Sequence, residues 1–163
     1  MSQGQPFSKP YPPLAHVVLV EPEIHWNTGN AGRTCLAVGA QLHLVEPLGF
    51  SLEEREVRRA GLDYWPRVAP RLWPSWSAFE AELPAPGEPF FFSAEADRDF
   101  WSVAFPPQPV LVFGRESVGL SAEIRGRYAD RMVRIPMVDR SIRSLNLSTS
   151  VALVLYEVLR QHR

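Results

Sequence analysis

One cysteine, Cys35, and one lysine, Lys9, stand in a chain of 163 residues. A lone cysteine can neither close an intrachain disulfide nor supply a CxxC pair, which excludes a disulfide scaffold and a dithiol zinc or redox centre. No apolar run reaches the roughly 18 residues a membrane span needs, and no charged-then-apolar leader is present, so a reducing cytoplasm is the expected address. GxxxxGK[ST] is missing, no GxGxxG follows the first strand, and there is neither an HExxH pair nor a GxSxG elbow. Phosphate-cradling NTPase chemistry and Ser-His-Asp hydrolysis therefore lack support. The four histidines, His16, His25, His43 and His162, have no ligand spacing, and no metal is expected. Charge of one sign is lacking too: 17 basic residues face 18 acidic ones. The whole molecule thus has no field to attract a polyanion, neither a membrane surface nor DNA is expected as a partner, and any RNA contact must use local patches.

What is present is ordinary globular material, with 45% hydrophobic and 21% charged residues. At about 150 residues per domain the chain makes one domain, large enough to bury roughly 70% of its unfolded surface. Residues 1–14, MSQGQPFSKPYPPL, read as a flexible proline-rich tail, and 15–163 as the single domain. Lys9 aside, every basic residue is Arg, which suits bidentate phosphate recognition or reflects genome composition.

From His16 onward, short β-branched or aromatic runs alternate with amphipathic ones, the pattern of βαβ units in an α/β fold: a mostly parallel sheet flanked by helices. Strands are expected at 17–20, 42–46, 90–94, 110–114 and 132–137, with a weaker one near 64–68. Helices are expected at 28–39, 52–60, 75–83, 121–129 and 147–161, with Ser51, Ser75 and Ser121 as N-caps. VVLV and VLVF are apolar without alternation, which marks central strands buried on both faces. Ligands of open α/β sheets bind beyond the carboxyl ends of the strands, so the loops opening at Glu21, Phe113 and Ile135 are where chemistry belongs.

Three segments occupy those loops. In EPEIHWNTGNAGRTCLAVGA, at 21–40, Asn27 or Thr28 is placed to cap a helix that carries Arg33; a cap and an exposed arginine explain this segment equally well. VLVFGRESVGL, at 110–120, takes a strand into a two-glycine turn where Gly114 allows close approach to the backbone, solvated turn charges being the alternative. RIPMVDRSIRSLNLSTSVALVLYEVLRQ, at 134–161, ends in a helix with Ser144 or Asn146 as cap and Leu147, Val151, Val154, Leu155 and Val158 as its core stripe. A second apolar set on that helix, Leu153, Tyr156 and Leu159, is more than a small monomer readily covers, and a homodimer is expected.

Taken in order, NTGNAGR, FGRESVGL and IPMxxxxxIRSLNLSTSVALVLYE resemble the three motifs of the SPOUT methyltransferases, in the branch that methylates RNA ribose 2′-oxygens. EPEIxxNTGN, LHLVEPLGF, RRAGLDYW and RIPMV extend the likeness to the small tRNA (cytidine/uridine-34-2′-O)-methyltransferases of the YibK or TrmL type, over residues 17–161. The resemblance implies a SPOUT fold with a C-terminal trefoil knot, an obligate dimer, S-adenosylmethionine as cofactor and a tRNA anticodon stem-loop as substrate. It implies a cofactor pocket at Phe92, Ser93, Gly114, Glu116, Ile135, Met137, Ser144, Leu145 and Asn146, much of it main chain.

Within the same resemblance Asn27, Arg33 and Asn146 match positions tied to catalysis, and Arg33, Arg140, Arg143 and Tyr156 to substrate binding. Arg33 is a poor proton acceptor because guanidinium stays protonated below about pH 12; it is expected to hold an RNA phosphate while a phosphate oxygen or water carries the proton. Arg55, Arg58, Arg59, Arg67 and Arg71 are further rim candidates, although Glu53, Glu54 and Glu56 make internal ion pairs on a solvated face an equal reading. His25 and Trp26 stand where the resembled family often has small residues or proline, and SIRSLNLS replaces a commoner SRSMNLS. Methylation at another tRNA or ribosomal RNA position, and a catalytically silent RNA-binding module, are the alternatives.

Overall fold

The computed structural model describes residues 12–53, 63–83 and 88–163. A six-stranded sheet runs through it in the order β3-β2-β1-β5-β4-β6, with every pairing parallel. The strands are β1 His16–Val20, β2 Gln41–Val45, β3 Arg71–Trp73, β4 Pro89–Phe92, β5 Val110–Phe113 and β6 Met132–Val133. The helices are α1 His25–Val38, α2 Trp65–Val68, α3 Trp76–Ala81, α4 Ala122–Arg127 and α5 Leu147–His162, with short 3-10 turns at Phe100–Ser102 and Ala129–Arg131.

The apolar, non-alternating strands are the central ones, as expected. Val17 and Leu19 join a core with Leu42, Leu44, Leu111, Phe113 and the buried stripe of α5, while Val18 and Val20 face the opposite layer with Val45, Phe79, Phe91, Val112 and Ile124. Each side chain of β1 therefore leaves water whichever way it points, so alternation would have gained nothing. On the first face α1 packs against α5, with Ala31 and Cys35 buried between. No helix among the described residues is long and apolar enough to cross a membrane.

Local chemistry sets most element ends. Ser75 and Ser121 cap α3 and α4, accepting from Ala78 N–H at 3.1 Å and Ile124 N–H at 3.2 Å. Of the two caps considered for α5 it is Asn146, not Ser144, whose side chain accepts from the Thr149 amide at 3.2 Å. The helix expected at 52–60 lies largely outside the described residues; at its start Ser51 Oγ accepts from the Glu53 amide at 3.1 Å. Arg55, Arg58 and Arg59 and residues 1–11 of the proline-rich segment also lie outside the described residues; the end of that segment is described, Leu14 N–H donating to Gly39 O at 2.9 Å.

Three expectations are corrected. Residues 64–68 are not a strand: Pro66 sits in the first turn of α2, where its fixed φ and missing N–H cost nothing, and Trp65 and Val68 bury one face. The strand of that region is the short, mostly exposed edge β3, which pairs with β2. The expected strand 132–137 pairs with β4 only at Met132 and Val133, Arg134 adds a single bridge to Asp99, and Pro136 has no N–H to extend the ladder. Finally, α1 begins at His25 rather than 28, so Asn27 and Thr28 lie inside it and cap nothing through their side chains; the residue at the N-cap is Ile24.

Candidate functional site

The order of strands reverses between β1 and β5: from β1 the chain steps outward to β2 and β3, and β5 returns beside β1 with β4 beyond it. A crevice must open where two neighbouring strands send their exits apart, and there the 21–24 segment faces the 114–119 loop.

Reciprocal bonds hold these two loops. The Glu116 carboxylate accepts the amides of Glu23 at 2.8 Å and Ile24 at 3.2 Å. In return the Glu23 carboxylate accepts the amide of Ser117 at 3.0 Å and its hydroxyl at 2.5 Å, donations that hold the Glu23 carboxyl below its ordinary value. Arg115 pairs with Glu21 at 2.6 Å, and Glu21 occupies the left-handed region at φ 53. Glu116 thus fixes the two residues that lead into α1, Glu23 and the N-cap Ile24, from some 90 positions away, at a helix start that has no side-chain cap of its own.

Asn27 joins the third segment to this frame. Its Nδ2 donates to Glu116 Oε1 at 3.3 Å, and its Oδ1 accepts from Asn146 Nδ2 at 2.9 Å. Asn146 Oδ1 in turn accepts from Ser148 Oγ at 2.6 Å as well as from the Thr149 amide. Arg143 Nη2 donates to Ser117 O, tying the polar loop before α5 to the loop after β5.

Beside this network lies a cleft of about 360 Å³, within the size range of small-molecule sites. All nine residues expected to hold the cofactor line it: Phe92 and Ser93 at the end of β4, Gly114 and Glu116 after β5, Ile135 and Met137 after β6, and Ser144, Leu145 and Asn146 before α5. Asn27 and Arg143 line it too. Arg33 does not: it is exposed, its guanidinium carbon 5.7 Å from the centre of the Tyr64 ring. Arg140 is exposed and outside the cleft lining, and so is Tyr156, on α5.

Two readings of individual residues change. A Cβ on Gly114 would come within 2.2 Å of the Gly119 carbonyl carbon and 2.3 Å of the Leu120 nitrogen, so glycine is needed there first by its own loop and not only by a ligand's approach. Glu116 spends its oxygens on the frame of the site. Sequence reasoning missed Glu23, Ser117 and Arg125, the last a cleft-lining cation paired with Glu95 at 2.8 Å. The clue to Glu23 was its place in the loop after a central strand; nothing local marked Ser117 or Arg125.

The donor set suits a ligand with an aromatic, apolar part and a polar, charged part. Phe92, Phe113, Leu120, Ile135 and Leu145 supply apolar lining residues, and residues 93–95, 114–116 and 144–146 continue the lining with Arg125 and Arg143. No group of three or more His, Cys, Asp or Glu placed to hold a metal ion occurs among the described residues.

A parallel α/β sheet with a small-molecule cleft across the exits of its central strands, framed by three chain segments, defines a class of ligand-binding α/β domains. Residues 15–156 match the model of the SpoU rRNA Methylase family, and the chain belongs to that family. Among its relatives, a tRNA (cytidine(34)-2'-O)-methyltransferase of Burkholderia pseudomallei (strain 1106a) is 47% identical over 150 residues, 91% of this chain and 96% of the relative. A solved structure described as giving insight into the 2-OH methylation of C/U34 on tRNA superposes with a TM-score of 0.85 at 43% identity, over 93% of this chain and 97% of that one. An AdoMet-bound rRNA methyltransferase from Sinorhizobium meliloti superposes with a TM-score of 0.71 at 26% identity, over 90% of this chain and 56% of that one. The sheet and its flanking helices are those of the SPOUT methyltransferases.

Proposed function

We propose that this chain transfers a methyl group from S-adenosylmethionine to the ribose 2′-hydroxyl of nucleotide 34 of tRNA, a cytidine or a modified uridine. The observation that carries the reading is the 47% identity, over nine-tenths of the chain, to a tRNA (cytidine(34)-2'-O)-methyltransferase. The cleft supports it, because the nine positions transferred from the SPOUT motifs come from four separated stretches of chain and line one cavity.

When bound, S-adenosylmethionine supplies an electrophilic methyl group, which leaves the protein the tasks of alignment and proton removal. The residues to hold it are the nine named, their apolar side chains excluding water and their main chain offering donors and acceptors. The Glu116–Asn27–Asn146 chain keeps the three segments in register, so that the cofactor side and the RNA side of the cleft do not drift apart. Arg33 and Arg140, exposed outside the cleft, and Arg143 at its edge, bind RNA phosphates. Arg33 remains charged throughout, and the hydroxyl proton leaves to a phosphate oxygen or water.

The same reading includes a homodimer, a C-terminal trefoil knot and a cytoplasmic location. Leu153 and Tyr156 lie on α5 with 43% and 54% of their surface exposed, an apolar face for a second copy. The knot rests on the likeness to the SPOUT motifs. Tyr156→Glu is expected to shift sedimentation from dimer to monomer.

The test is incubation of the protein with methyl-labelled S-adenosylmethionine and total RNA from a strain lacking its gene, followed by nuclease digestion. Label in tRNA as 2′-O-methylcytidine or a 2′-O-methyluridine derivative at position 34 is the expected result. Label in ribosomal RNA would keep the chemistry and overturn the target, and RNA binding without transfer would identify a silent module.

A further inference from the structure

The cleft explains how a cofactor is held but leaves unused an exposed aromatic residue that adjoins it in the chain. Trp26 is 58% exposed although it lies between two cleft-lining residues, Ile24 and Asn27. Only Trp26, Trp101 and Tyr156 are exposed aromatics of the Phe, Trp and Tyr type among the described residues, and Trp26 alone adjoins the cleft in sequence.

Trp26 does not stand alone. Its ring lies against His25 with centroids 4.5 Å apart, and His25 meets Phe50 edge-on at 6.5 Å. The backbone beneath is fixed: Gly49 N–H donates to Pro22 O at 2.9 Å, and a Cβ on Gly49 would come within 2.6 Å of the Glu23 carbonyl oxygen. Glu23 is itself clamped by Ser117. An exposed indole held from behind by a second ring, on a start of helix bonded to Glu116, has little freedom left to lose on binding a flat partner.

Unpaired bases of RNA loops are recognised by stacking on such side chains, whereas a paired stem offers no free face. We propose that Trp26 is a stacking platform for the base next to the methylated nucleotide, held by His25 and Phe50, and that it contributes to the choice of an unpaired loop as substrate. The inference rests on the reading of the chain as a tRNA methyltransferase and adds to it the residue that senses the neighbouring nucleotide.

The test compares wild type, Trp26→Ala and Trp26→Phe on a synthetic anticodon stem-loop RNA and on two copies of it, each abasic at one neighbour of the target. Trp26→Ala is expected to raise KM and the dissociation constant of the intact RNA by about 5- to 100-fold, the size of one lost base–aromatic stack, and Trp26→Phe by much less. One abasic RNA should weaken wild-type binding by a similar factor and leave Trp26→Ala indifferent, which a merely structural role would not produce. S-adenosylmethionine affinity and the urea midpoint should not move. Wild-type methylation with unchanged KM in Trp26→Ala would overturn this inference and leave the proposed function standing. A switch of Trp26→Ala from dimer to monomer would overturn it in favour of a second copy covering the indole. Failure of the wild type to methylate or bind any tRNA would overturn both.

Discussion

Asn146 Nδ2 donates to Asn27 Oδ1 at 2.9 Å across 119 positions of sequence, joining the start of the last helix to the first turn of the first. The amide orientations are set by their neighbours, because Asn27 Nδ2 meets a carboxylate, which only accepts, and Asn146 Oδ1 meets the Thr149 N–H, which only donates.

Asn146→Ser separates the two tasks of that side chain. Serine still caps α5 but is too short to reach Asn27, so stability should fall by less than about 1 kcal/mol while methyl transfer drops at least roughly tenfold. Asn146→Ala should lose about 1 kcal/mol more in urea unfolding, the usual size of a missing cap. Combined with Asn27→Ala, its effect on turnover should be clearly less than additive.

Glu116→Gln replaces an acceptor-only group by one that must point an N–H at some of the donors of Glu23, Ile24 and Asn27. The variant should be destabilised by about 1–3 kcal/mol and bind S-adenosylmethionine more weakly. Calorimetric titration and urea unfolding of the same preparation check both parts.

Gly114→Ala sets a methyl group against backbone that cannot yield, and should cost several kcal/mol together with cofactor binding. Gly126→Ala is the opposite case: no atom lies within 4 Å of the new Cβ, and the site is inside α4. It should stabilise the protein by about 0.5–1 kcal/mol, with a higher urea midpoint and unchanged turnover.

His16 and His43 form a buried pair on the sheet. Trp73 Nε1–H donates to His43 Nδ1 at 3.0 Å, so His43 carries its proton on Nε2 and donates it to His16 Nδ1, also at 3.0 Å. Burial first, and the charge of Arg71 second, hold His16 below its ordinary 6.5. The unfolded chain therefore binds more protons than the folded one just below pH 6.5, and stability should fall as pH drops from about 6.5 toward the folded-state value, then level off. His16→Gln keeps an acceptor for His43 and loses the titration. Its urea midpoints at about pH 7.5 and 5.5 should differ less than those of the wild type.

Arg33→Lys preserves charge but loses the planar fork that grips phosphate. Methyl transfer should fall at least roughly tenfold with S-adenosylmethionine affinity unchanged. Near-native turnover in the lysine variant would make a specific guanidinium role untenable.

The sequence by itself determined which strands are central, because VVLV and VLVF are apolar at every position and such strands must be buried on both faces. It determined the caps Ser75 and Ser121 and the core stripe of α5 and narrowed the cap of α5 to Ser144 or Asn146, since these depend on neighbours within one or two turns. The line of cleft residues was legible through the motifs, each a short stretch leaving a strand or opening a helix.

Only the tertiary structure decided what begins α1. The amides of Glu23 and Ile24 that lead into it are held by Glu116, from another strand's loop, whereas local rules assigned Asn27 and Thr28 a capping task that neither performs and started the helix three residues late. Long-range contact also decided that α2 replaces an expected strand once Trp65 and Val68 find α1, and that Arg33 stands outside the cleft, while the fold of its own loop decided that Gly114 must be glycine for the sake of Gly119 and Leu120. Periodicity and capping report what a residue does to its own helix or strand. Which distant carboxylate accepts its amide is settled only when strands far apart in sequence become neighbours in the sheet.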